Sequence, residues 1–302
     1  MKFGNTNRKY KDRLFRFIFG NPENKKWTLS LYNAVNGTNY NNPDDIKYNT
    51  IDDAIYMNMK NDVSFIIENT MSLYEQQSTY CPNMPLRFLI YICKLYESYV
   101  KRNDLYIYGS KLQNIPRPKC VCFYNGVNKK EDKHIVKLSD MYFKDTNTAQ
   151  GELGGIVELE VIMLNINYGH NKELLEKSRP LYEYTFFVDR IRFHVNEFDK
   201  EGKEYSLEDV VDIAIEELPK DFQILEFLLA HKAEVKGMCL FEYDEERHMR
   251  GEREEGREEG REEGRIKLLI ELVNEGTYTV EKASKKANMT VTEFEKILTN
   301  KG

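Results

Sequence analysis

The sequence predicts an α/β fold: a mixed central sheet flanked by helices, followed by a helical C-terminal extension. Three observations lead there. Strand-like runs (VSFII, MSLYEQQS, PKCVCFY) alternate along the chain with amphipathic helical patterns, the order expected of a sheet with helices packed on it. At 302 residues the chain can bury one substantial core and still carry a smaller module. The apolar strands and helices all precede Met249, whereas a charged glycine repeat and short helices follow it.

In order, residues Lys11 to Phe19 read as a helix with Leu14, Phe15, Ile18 and Phe19 on its apolar face. A second helix from about Thr28 stops at Gly37. PDDIKYNTIDDAIYMNMK carries strand-like alternation, and Asp44, Asp45, Asp52 and Asp53 within it read as loop acids. VSFII is a buried strand, Glu68-Asn69-Thr70 suits a tight reversal, and MSLYEQQS returns as a second strand. A helix runs from about Pro85 to Lys101, with proline in its first turn and Arg87, Tyr91 and Lys94 on one stripe. Strands follow at Lys119 to Tyr124, ending at Asn125-Gly126, and at Val157 to Leu164. A helix from about Asn171 through His194 is interrupted around Arg179-Pro180. These elements make a core over 1–205, and 206–250 reads as a helical extension packed on it.

The connector over 251–265, GEREEGREEGREEGR, combines glycines that each cost a helix up to about 1 kcal/mol with Glu–Arg pairs worth a few tenths each. It is expected to be solvated alone and helical when flanked or paired, as across a homodimer. Residues 266–302 read as three short helices, a small helix-turn-helix-like tail with Thr279 and Thr290 or Thr292 as N-caps and Gly276 as a stop.

Composition excludes several classes. No stretch approaches the roughly 20 apolar residues that span a bilayer, so no membrane partner is expected. MKFGNTNRKYKDRLFRF is basic but has no apolar signal core. Five cysteines form neither a CxxC pair nor a paired framework and read as reduced thiols, which with the missing signal points to the cytoplasm. No phosphate loop, nucleophile elbow or dinucleotide fingerprint occurs, and the histidines are too scattered for a metal motif. Net charge is −6, so contact with nucleic acid would have to use local basic patches, such as the N-terminal segment or Lys111, Arg117 and Lys119.

The informative constellation is Asp62 with Glu75-Gln76-Gln77. A hairpin brings the end of its second strand level with the start of its first, so Asp62 and Glu75, thirteen positions apart, converge. Gln77 shares a face with Glu75 because side chains two apart in a strand do. Two convergent carboxylates suit a hard divalent cation such as Mg²⁺.

The segments YKDRLFRFIFG, MKNDVSFII, LYEQQSTYCPNMPLRFLIYICKLY, IPRPKCVCFYNG, NINYGHN and EYDEERHMRGEREEGREEG together resemble the Rpn family of recombination-promoting nucleases, also labelled putative transposases, within the PD-(D/E)XK superfamily. The resemblance extends to about residue 265. It implies a restriction-endonuclease-like core and a metal-dependent DNA endonuclease acting in recombination or mobile-element biology. Asp62 takes the place of the motif Asp, and Glu75-Gln76-Gln77 matches the Glu-x-Gln that this family commonly has for Glu-x-Lys. The implied metal ligands are Asp62, Glu75 and the backbone carbonyl of Gln76, with Asp12 at the first-helix acidic position; Mn²⁺ is expected to substitute for Mg²⁺. Gln77 cannot carry charge but can orient water through its amide. By residue type and their shared stripe, Arg87, Tyr91 and Lys94 are candidate DNA contacts, against the alternative that they pin the helix to the sheet. A non-catalytic DNA-binding or regulatory protein on the same fold is the second reading. A DDE transposase fits poorly, because its carboxylates come from well-separated segments.

Overall fold

A computed structural model describes residues 14–49, 62–78, 80–126, 131–143, 157–239, 261, 264–287 and 289–300. The chain divides into two compact units, Met1–Glu242 and Tyr243–Gly302.

The first unit is mixed α/β. Its strands are β1 (Lys47–Tyr48), β2 (Val63–Ile67), β3 (Thr70–Gln77), β4 (Arg117–Tyr124), β5 (Lys133–Lys137) and β6 (Glu160–Asn165), in the sheet order β1-β2-β3-β4-β6-β5. β3 pairs in parallel with β4, and β4 with β6; the remaining neighbours are antiparallel. Parallel neighbours need a crossover, and helix α3 (Met84–Arg102) supplies the one between β3 and β4. The β2–β3 hairpin turns at Glu68-Asn69, with Glu68 at φ 48°, a left-handed conformation uncommon outside glycine.

Side-chain alternation divides the sheet into two faces. Met71, Leu73, Cys120, Cys122, Val161 and Met163 pack on α3 through Met84, Phe88, Tyr91, Ile92 and Leu95. On the other face Phe65, Tyr74, Val121 and Phe123 meet helices α1 (Leu14–Phe19), α2 (Lys25–Asn36), α4 (Lys172–Lys177), α5 (Arg179–Glu201), α6 (Leu207–Glu216) and α7 (Leu225–Ala230) in one cluster. Val211, Ile215, Leu228 and Val235 belong to that same cluster, so the helices after residue 206 share the core of the sheet. Trp27 is partly buried with its ring edge-on to Phe227.

Local chemistry sets the boundaries. α2 stops where Gly37, at φ 65°, returns its N–H to the Asn33 carbonyl, and it begins three residues earlier than the periodicity suggests. The interruption near Arg179-Pro180 falls at Ser178: a helix running through Pro180 would drive its ring into the carbonyl four residues back, so the chain restarts with proline in the first turn of α5. β4 ends at Asn125-Gly126, where a Cβ at Gly126 would run into the Ser78 carbonyl oxygen. Strand β5 was not anticipated. Its only buried residue is Val136, so KHIVK carries almost no hydrophobic signal and is placed by pairing with β6. Of the alternating stretch before the hairpin, the described part holds the short β1, and residues 50–61 lie outside the described residues.

In the second unit, helices over 264–274, Val280–Lys286 and Val291–Asn300 enclose Leu269, Ile270, Ala283, Ala287 and Phe294. Thr279 caps its helix by accepting from the Lys282 N–H. At Thr290 the cap is reciprocal: its hydroxyl accepts from the Glu293 N–H, and Glu293 Oε2 accepts from the Thr290 N–H at 2.9 Å. Of the connector, only Arg261, Gly264 and Arg265 are described. No helix among the described residues is long and apolar enough to cross a membrane.

Candidate functional site

The site is built where β2 begins and β3 ends. Val63 pairs with Tyr74, which sets Asp62 level with Glu75. The Asp62 N–H donates to Glu75 Oε1 at 3.3 Å, and Asp62 Oδ2 accepts from the Gln76 N–H at 2.7 Å. The Glu75 carboxylate is thus tied to the start of β2 by the Asp62 backbone, and the Asp62 carboxylate to the end of β3 by the Gln76 backbone. Glu75 is 1 % exposed, whereas Asp62 is half-buried.

Glu75 and Gln77 project from β3 on the same face as Met71 and Leu73, toward the N-terminal half of α3. There Arg87 Nη2 lies 3.3 Å from Glu75 Oε2 and donates to the Tyr91 hydroxyl at 3.2 Å, one helical turn on. Burial works to lower the Arg87 pKa, but the charge of Glu75 and the contact with Tyr91 outweigh it, and the guanidinium is held more firmly protonated than usual. Burial raises the Tyr91 pKa, the charge of Glu75 adds to this, and Arg87 partly opposes it. Gln77, 4 % exposed, gives its amide N–H to the Met84 sulfur at 2.8 Å. Lys94, a further turn along α3, is half-buried and makes no hydrogen bond or ion pair with these residues among the described ones. Asp12 lies outside the described residues. Asp44, read as a loop acid, lies in a short 3₁₀ turn over Pro43–Asp45 and pairs with Lys25 at 3.0 Å.

The backbone also has a direction here. The Gln77 carbonyl accepts from the Asn125 N–H at 3.0 Å, on the β4 side. Successive residues of a strand send their N–H and C=O groups to alternate sides. The Gln76 carbonyl therefore faces the β2 side, as does its N–H, which reaches Asp62. Two carboxylates and this carbonyl form a set of hard oxygen donors of the kind Mg²⁺ takes. Among the described residues no cluster of three or more His, Cys, Asp or Glu side chains could hold a metal, so the donors fit only if the backbone and water complete the shell.

Behind the strand, the Gln76 side chain points to the opposite face and donates to Asn125 Oδ1 at 2.5 Å. Arg192 of α5 donates to the Asn125 carbonyl, and to Asn167 Oδ1 at 3.2 Å. Sequence reasoning missed Asn125 and Arg192 as supports of this strand end. Asn125-Gly126 carried only a strand-stop signal, and Arg192 is 67 positions from its partner.

The fold and this site define a class: a mixed α/β protein with a six-stranded mixed sheet flanked by helices and an acidic, arginine-bearing centre at one strand end. Compared with profiles of protein families, with curated proteins and with solved structures, the chain has no match in any of the three.

Proposed function

We propose that this chain is a metal-dependent DNA endonuclease of the PD-(D/E)XK type, related to the Rpn family, hydrolysing phosphodiester bonds in recombination or mobile-element biology. The observation that carries the reading is the convergence of Asp62 and Glu75 at one end of the hairpin, linked through the Asp62 N–H at 3.3 Å. Asp62, Glu75 and the Gln76 carbonyl would hold Mg²⁺, or Mn²⁺ in its place, which when bound would lower the pKa of a water and offset charge on the scissile phosphate. The chain's own residues then have separate tasks. The hydrogen bond from the Gln76 N–H fixes the Asp62 carboxylate. Arg87 offers a planar fork suited to a phosphate, and Tyr91 restrains where that fork can point. Lys94 adds a further positive charge on the same stripe of α3. Gln77 fixes the start of α3 through Met84.

One observation favours the second reading, a non-catalytic DNA-binding or regulatory protein on the same fold. Arg87 already neutralises Glu75, with its Nη2 3.3 Å from Oε2. Incubation with supercoiled plasmid separates the two. The endonuclease converts it to nicked circles with Mg²⁺ or Mn²⁺ and leaves it intact with EDTA. Folded protein that binds the plasmid and nicks it with neither cation establishes the second reading.

A further inference from the structure

We propose that Arg87 is the resident counter-ion of the carboxylate pair, and that a divalent cation binds at Asp62 and Glu75 by displacing its guanidinium. This rests on the metal-site reading above and adds a residue that competes with the metal. Glu75 is 1 % exposed, and a carboxylate so far from water is costly unless hydrogen bonds and a partner of opposite sign compensate it. Arg87 is that partner in the described structure, with Nη2 3.3 Å from Oε2. The same Nη2 donates to the Tyr91 hydroxyl at 3.2 Å, and Nη1 reaches the Met84 sulfur at 3.5 Å, so groups besides Glu75 also hold the guanidinium.

The pair is asymmetric. The Glu75 side chain is 2 % exposed and that of Arg87 31 %, so the arginine has a path to solvent that the glutamate lacks. A divalent cation drawing on Oε2 would face a fixed positive charge on the same oxygen, and two cations at one carboxylate oppose each other. Metal and guanidinium are therefore negatively coupled, each weakening the other's hold on Glu75 by the same factor. An arginine that merely pins α3 to the sheet makes the opposite forecast: its loss loosens the site and weakens metal binding.

The direction of change decides, with Mn²⁺ alone as the probe. Free Mn²⁺ is followed by electron paramagnetic resonance during titration of the full chain and its variants. Arg87→Met is expected to bind Mn²⁺ more tightly than the unmodified protein, on the order of tenfold, a common size for coupling between two ligands. Arg87→Lys keeps the charge and is expected to stay close to the unmodified affinity. Tyr91→Phe removes only the second hold on Nη2 and preserves the ring packed in the core, so it is informative even if Arg87→Met does not fold. It is expected to tighten binding by about twofold to tenfold, the scale of one lost hydrogen bond. Each gain is expected to vanish when Asp62→Asn is added. Unchanged or weaker Mn²⁺ binding in Arg87→Met and Tyr91→Phe, with binding still lost in Asp62→Asn, overturns the counter-ion and leaves the metal site standing. A gain that survives Asp62→Asn also overturns it. No Mn²⁺ binding by any of the folded proteins overturns both.

Discussion

Substituting Asp62 by Asn and by Ala separates what this carboxylate does for the fold from what it does for the proposed chemistry. Its Oδ2 accepts from the Gln76 N–H at 2.7 Å, beyond the Val63–Tyr74 pair at the end of the β2–β3 register. Asn presents an amide oxygen in nearly the same place and loses only the assistance of the charge, expected to cost about 1 kcal/mol or less. Ala leaves the N–H without that acceptor, a loss of about 1–3 kcal/mol. Because Asp62 is only half-buried, water can approach the N–H, which places the cost toward the lower end. Both variants lack one of the two negative charges of the site, and both are expected to lose nicking by at least about a thousandfold, as members of a catalytic unit do. A double variant with Glu75→Gln is expected to be little worse than either alone. Urea melts, read from a midpoint shift at constant slope, give the first quantity, and plasmid nicking with Mg²⁺ gives the second. Nicking by Asp62→Asn within tenfold of the unmodified protein refutes the carboxylate site. Equal stability of the Asn and Ala variants refutes the role given to the hydrogen bond.

Gln77→Lys is expected to retain nicking, because it adds positive charge beside the site, while losing about 2 kcal/mol in urea melts through burial of a long cation in place of the amide–Met84 contact; complete loss of nicking with unchanged Mn²⁺ affinity would show that the amide has its own role. Truncation after Glu242, where the first compact unit ends, is expected to leave that unit folded and its metal binding intact, as checked by circular dichroism and Mn²⁺ titration, and an insoluble product contradicts this boundary. Light scattering and gel-shift titration of the same pair of proteins show whether the second unit contributes to oligomerisation or DNA affinity. Burial pushes the Cys120 thiol up to about 12, so at pH 8 it stays protonated in the native protein. A chromogenic disulfide reagent is therefore expected to modify exposed Cys93 and half-buried Cys81 first, and buried Cys120, Cys122 and Cys239 only after unfolding; rapid native reaction of all five contradicts the packing.

The sequence by itself determined the elements whose signals are local. VSFII carried dense β-branched and aromatic residues, the polar Glu68-Asn69-Thr70 marked a reversal before MSLYEQQ, and the hairpin forms at Val63–Ile67 and Thr70–Gln77. That hairpin is enough to bring Asp62 and Glu75 together, because strand period and turn length fix their relative level. The helix carrying Arg87 and Tyr91 was legible from the proline of its first turn and the helical spacing that follows, and the tail helices from Thr279, Thr290 and Gly276. Tertiary structure alone decided the rest. The edge strand β5 exists because β6 offers it a ladder, and no run of apolar residues announces it. Arg87 and Glu75 are twelve positions apart, and their 3.3 Å contact depends on how α3 lies across β3, set by packing of Met84, Phe88 and Tyr91 on Met71 and Leu73. The Gln76–Asn125–Arg192 chain joins three elements distant in sequence. Local periodicity reports which face of an element is apolar, but not which partner covers it; that is decided by the one arrangement in which all the apolar faces are buried together.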